Sequence, residues 1–71
     1  MPRKLSLGGH LHNARVDRGL TAPELAERVG VSTASIYFWE TDRVQPQAEN
    51  LEALCKVLKL RIRAMRELAG G

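Results

Sequence analysis

Between Leu20 and Glu40 the chain alternates between apolar and polar positions with the period of a helix, twice over, with a glycine separating the two runs. In the first run Leu25, Ala26 and Val29 recur at i, i+1 and i+4, which gathers one apolar face on a helix of about two turns. Thr21 stands where an N-cap is wanted, and Glu24 three residues on completes the capping-box spacing. Pro23 falls in the first turn, where its missing N–H breaks no helical hydrogen bond. Gly30 ends the run at a position that favours left-handed backbone. In the second run Ser32 supplies a cap, and Ile36, Trp39 and Glu40 share an inner face at i, i+3 and i+4. Thr33, Ala34, Tyr37, Phe38 and Thr41 then point outward. Two short helices joined by a tight turn, the second with a spare outer face, predict a probe for a groove.

The flanking stretches are helical in pattern too. From about Leu7 to Arg18, Leu7, Leu11 and Ala14, with Val16 beside them, give an apolar stripe that Gly19 ends. The pair Gly8-Gly9 at the start of that stripe predicts a loosened first turn. From Ala48 to about Lys59, Leu51, Leu54, Cys55 and Leu58 recur at i, i+3, i+4 and i+7, an amphipathic helix to which Cys55 contributes as a core residue. Ile62, Met65 and Leu68 at intervals of three predict a fifth short helix. Residues 1–6 read as a flexible N-terminal arm carrying Arg3 and Lys4, and 7–69 as one domain.

At these residues the chain resembles the helix-turn-helix family of phage repressors, Cro proteins and bacterial regulators of the xenobiotic-response-element type. The likeness rests on Leu20, Thr21, Glu24-Leu25-Ala26, Gly30-Val31-Ser32, Ile36, Trp39-Glu40 and Pro46. It extends back to Leu11 and Arg15 and forward to Leu51, Leu54, Leu58 and Leu68. The resemblance implies an all-α, compact five-helix, lambda-repressor-like DNA-binding domain with the helix-turn-helix at helices 2 and 3. It also implies a sequence-specific transcriptional regulator, of repressor or controller type, that lays residues 33–40 in the major groove.

By the same resemblance, the base-reading positions fall on Thr33, Ala34, Tyr37 and Phe38, and the backbone contacts on Ser32, Ser35, Thr41 and Arg43. Arg15 corresponds to an arginine that pairs with the glutamate ending the recognition helix, here Glu40. That pairing makes physical sense, since an inward carboxylate is costly unless a cation meets it with hydrogen bonds. The chain departs from the family at Ala22, where many members carry a phosphate-binding glutamine. It departs again at Asp42, where glycine is common; aspartate tolerates a positive φ better than most residues. The outer face lacks the Gln, Asn or Arg that grips a base with two hydrogen bonds. Thr33 and Ala34 offer methyl groups that suit thymine, and Tyr37 offers a hydroxyl.

Composition narrows the setting. Seventy-one residues make a single domain too small to bury a large core, so a homodimer is the expected supplement. The single cysteine excludes an internal disulfide and fits a reducing cytoplasm. The net charge of +3 is modest, but Lys56, Lys59, Arg61, Arg63 and Arg66 crowd the last third. His10 and His12, two apart on a helix, diverge and make no metal site. Without a nucleophile motif, a phosphate loop or ligand spacing, the chain reads as a binding module and not an enzyme, with no cofactor and no membrane span. An alternative stays open: a protein-interaction module, such as an antitoxin or coactivator-like adaptor, anchored on Tyr37 and Phe38.

Overall fold

The computed structural model describes residues 5–70. Five helices follow one another: α1 (Leu7–Asp17), α2 (Ala22–Val29), α3 (Thr33–Glu40), α4 (Ala48–Leu58) and α5 (Ile62–Gly70). The first four residues of the expected arm lie outside the described residues; Leu5 is exposed and Ser6 serves as the N-cap of α1.

Local chemistry sets the boundaries of the central pair. The Thr21 hydroxyl accepts the Glu24 N–H while the Glu24 carboxylate accepts the Thr21 N–H, so two orphan donors of α2 are satisfied reciprocally. Those bonds hold the Glu24 carboxyl below its ordinary pKa, the Thr21 N–H foremost, with Arg28 adding to the effect. Gly30 ends α2 with φ of 88°, left-handed backbone that a residue with a side chain adopts only under strain. Two residues later the Ser32 hydroxyl accepts the Ser35 N–H and starts α3.

The core fills the space between α1, α2, α3 and α4, with α5 closing it. Leu11, Leu25, Ile36, Leu54 and Leu58 are sealed from solvent, joined by Trp39, Leu51, Cys55 and Met65. Burial raises the pKa of the free Cys55 thiol, partly offset by Arg66, which leaves it an apolar filler and a poor nucleophile. Ala22 is buried as well.

The first helix corrects two expectations. Val16 is 54% exposed, because nine residues from Leu7 is about half a turn out of phase with the Leu7–Leu11–Ala14 stripe. Gly8 and Gly9 do not loosen the start of α1: both are helical, and the Ser6 hydroxyl accepts the Gly9 N–H at 3.1 Å. Gly8 is there because nothing larger fits. A methyl group on it would lie 2.6 Å from the carbonyl oxygens of both Trp39 and Glu40, so the N-terminus of α1 abuts the C-terminus of α3.

Candidate nucleic-acid interface

α3 is fixed on one side and open on the other. Ile36 and Trp39 are buried, and Glu40 turns its carboxylate inward, its side chain 5% exposed. On the opposite side Tyr37 and Phe38 are 51% and 43% exposed, Ala34 is exposed, and Thr33 is half-buried. The four positions expected to read bases therefore lie along one edge of a helix whose other edge is packed.

The inner edge is anchored by charge. Arg15, on α1, donates from Nε to Glu40 Oε2 at 2.7 Å and from Nη2 to Oε1 at 3.1 Å, a two-pronged pair between side chains 12% and 5% exposed. The hydrogen bond to Glu40 raises the Arg15 pKa above its ordinary value, against the lowering effect of burial. A third donor, Nη1, meets the Leu20 carbonyl at 2.9 Å, so one guanidinium ties α1 to α3 and to the approach to α2. His12 joins them. Its Nδ1 lies 2.8 Å from Glu40 Oε1 and 3.2 Å from Arg15 Nη2, so it donates to the carboxylate when it carries the proton and accepts from the guanidinium when it does not.

Around the open edge sit the residues expected at the phosphates. Ser32 is exposed and Ser35 half-buried at the start of α3; their hydroxyls lie 3.0 Å apart and share one hydrogen bond. Thr41 is exposed at the other end and donates its hydroxyl proton back to the Tyr37 carbonyl at 2.7 Å, leaving its lone pairs outward. Arg43 is exposed two residues beyond the cap of α3. The C-terminal basic residues are exposed too, but on α4, on the corner after it and on α5, away from α3 in the chain; Arg66 pairs with Glu52 at 3.6 Å.

Two contributors escaped the sequence pattern. His12 reaches Glu40 across 28 positions. Asp42, at φ of 60°, does more than tolerate the turn: its carboxylate accepts the Gly8 N–H at 3.0 Å and the Ser6 hydroxyl at 2.6 Å. Both partners lie more than thirty positions back, on the first turn of α1, beyond the reach of any local motif.

A helix braced by α1, capped by Ser32 just after the tight glycine turn that ends α2, and bare on its far edge has the form of a helix-turn-helix DNA-binding domain. The chain belongs to that family: the Helix-turn-helix domain matches residues 6–69, and the type is that of phage repressors and xenobiotic-response-element regulators. The family is one of DNA-binding domains and not of enzymes. Solved structures place it further. The P22 c2 repressor, seen in complex with a synthetic operator, superposes with a TM-score of 0.83 at 29% identity, over 87% of this chain and 94% of that one. The clp gene regulator ClgR from Corynebacterium glutamicum gives 0.79 at 32%, over 99% of this chain and 78% of its own. The N-terminal DNA-binding domain of SinR from Bacillus subtilis gives 0.76 at 25%, over 83% and 87%. No curated protein sequence matches this chain at a significant level. Among the described residues no helix is long and apolar enough to cross a membrane.

Proposed function

We propose that this domain is a sequence-specific transcriptional regulator of double-stranded DNA, inserting α3 into the major groove and acting as a homodimer in the cytoplasm. The observation that carries the reading is the two-sidedness of α3, with Ile36, Trp39 and Glu40 locked inward and Ala34, Tyr37 and Phe38 left bare. Thr33, Ala34, Tyr37 and Phe38 meet base edges. Arg43 meets phosphate, with Ser32, Ser35 and Thr41 flanking it. Lacking a residue that grips a base with two bonds, each domain reads through methyl and aromatic contacts, to which thymine's 5-methyl group is the natural complement. A second copy multiplies so short a list of contacts, and a two-fold dimer places recognition helices about 34 Å apart on successive turns of the groove.

Exposed aromatics also suit a protein partner, and one measurement separates the two readings. DNA affinity falls steeply with salt as phosphates regain counterions, whereas aromatic docking on a protein barely responds. Binding to random-sequence duplex DNA, titrated against salt, is expected to show that fall, and Arg43→Ala to lessen the slope by about one. Sequencing of duplexes selected from a random pool is then expected to return an inverted repeat. A salt-independent interaction with DNA, or a pool with no enriched sequence, refutes the regulator reading.

A further inference from the structure

We infer that Asp42 is the positioning residue that aims Arg43 at the DNA backbone, an inference that rests on reading Arg43 as a phosphate contact. The end of α3 is a left-handed helix stop: the Arg43 N–H donates to the Phe38 carbonyl at 3.0 Å and the Asp42 N–H to the Trp39 carbonyl at 3.2 Å. That double bond pattern places Asp42 at the residue after the cap, the position glycine ordinarily takes because φ must be positive. Aspartate there is strained relative to glycine, and its side chain offsets the strain by reaching α1.

The reach is specific. Asp42 Oδ1 accepts the Gly8 N–H and Oδ2 accepts the Ser6 hydroxyl, while the Ser6 oxygen accepts the Gly9 N–H. Two of the four N–H groups that the start of α1 leaves without helical partners are thereby satisfied, one directly and one through Ser6. A negative charge stands at the positive end of the α1 dipole. The carbonyls of Trp39 and Glu40 abut the same turn, close enough that Gly8 admits no methyl. Asp42 is thus held from both sides, by the backbone of α3 behind it and the amide ends of α1 in front. Arg43, the next residue, has its backbone N–H fixed in this joint and its side chain exposed.

The two effects of Asp42 can be pulled apart. Asp42→Gly keeps the positive φ and relieves the strain, but removes the carboxylate. Asp42→Asn keeps an acceptor for the Gly8 N–H. The assay is binding of the full chain to a random-sequence duplex of about 20 base pairs over a range of salt, where phosphate contacts dominate. Asp42→Gly is expected to remain folded, by circular dichroism and urea midpoint, yet to bind about tenfold more weakly with a salt slope smaller by about one, as for Arg43→Ala. Asp42→Asn is expected to keep the wild-type slope, and Ser6→Ala to shift affinity in the direction of Asp42→Gly by less. In the Arg43→Ala background, Asp42→Gly is expected to add no further loss, because the group it aims is gone. Losses that multiply, or an unchanged slope in Asp42→Gly while Arg43→Ala lessens it, overturn the positioning role alone. A wild-type chain that binds the duplex with no salt dependence overturns the interface reading, and the aim of Arg43 with it.

Discussion

Replacing Arg15 by methionine tests whether the bracing of α3 is electrostatic. Methionine keeps much of the aliphatic stem, so the change removes mainly the guanidinium. Glu40 then loses both of its bonds from Arg15, at 2.7 and 3.1 Å, while its side chain is 5% exposed. Breaking a buried pair from one side typically costs about 3–5 kcal/mol, because the survivor stays charged and desolvated. His12 remains 2.8 Å from the carboxylate and the Leu20 carbonyl is only half-buried, which brings the expected loss down to about 2–4 kcal/mol. For a domain of this size that is a fall in Tm of about 13–27 °C. Substituting Glu40→Met as well removes the stranded charge, so the double variant is expected to regain at least half of the loss. Urea unfolding at neutral pH, with equal m-values across the set, reads the differences directly. The Arg15→Met loss is expected to persist at high salt, since a pair this enclosed is little screened. A double variant less stable than Arg15→Met alone would falsify the argument, because it would mean the two side chains contribute by packing and not by pairing.

Gly8→Ala sets a gain in helix propensity of about 1 kcal/mol against a methyl pressed 2.6 Å from two backbone carbonyls. The clash is expected to win by about 1–3 kcal/mol. Gly9→Ala, whose methyl would meet the end of the Leu5 side chain at 3.2 Å and otherwise only make ordinary contact with Leu5 Cβ at 3.4 Å and Ser6 Oγ at 3.5 Å, is expected to be neutral or slightly stabilising; equal urea midpoints for the two variants would contradict the joint between α1 and α3. Tyr37→Ala with Phe38→Ala is expected to leave the urea midpoint near that of wild type and abolish discrimination between selected and random duplexes. An unchanged affinity ratio would move base reading elsewhere. The depressed pKa of Glu24 means the folded state favours its ionised form, so its contribution is present above the ordinary glutamate value of 4.5 and lost as pH falls through the folded value. The stability gap between wild type and Glu24→Gln should therefore close on acidification, and a gap constant from neutral to acid pH would remove the ionised carboxylate as its source.

What could be read without coordinates was whatever the chain encodes within a turn or two. The Thr21–Glu24 box, the stop at Gly30 and the inward set of Ile36, Trp39 and Glu40 are all relations between residues at most four apart. Periodicity failed at Val16 because a stripe on so polar a helix is defined by few residues, and one out-of-phase valine looks like a member. The bond from Asp42 to Gly8 spans 34 positions and that to Ser6 spans 36. Nothing local marks an aspartate at a turn as the cap of a distant helix; the tight pairing of α1 and α3 must exist first. The exposed edge of α3 was legible as a face. Which of its hydroxyls spend their protons inside the protein, as Thr41 does on the Tyr37 carbonyl, was not.

The division of labour along α3 has an evolutionary and practical corollary. Along the body of α3, the side chains locked inward, Ile36, Trp39 and Glu40, and those left bare, Ala34, Tyr37 and Phe38, share no positions, so the second set can be exchanged as a cassette while the first stays constant. The outer face can therefore vary by drift or by design without retracing the problem of folding, with the scaffold serving as a reusable handle.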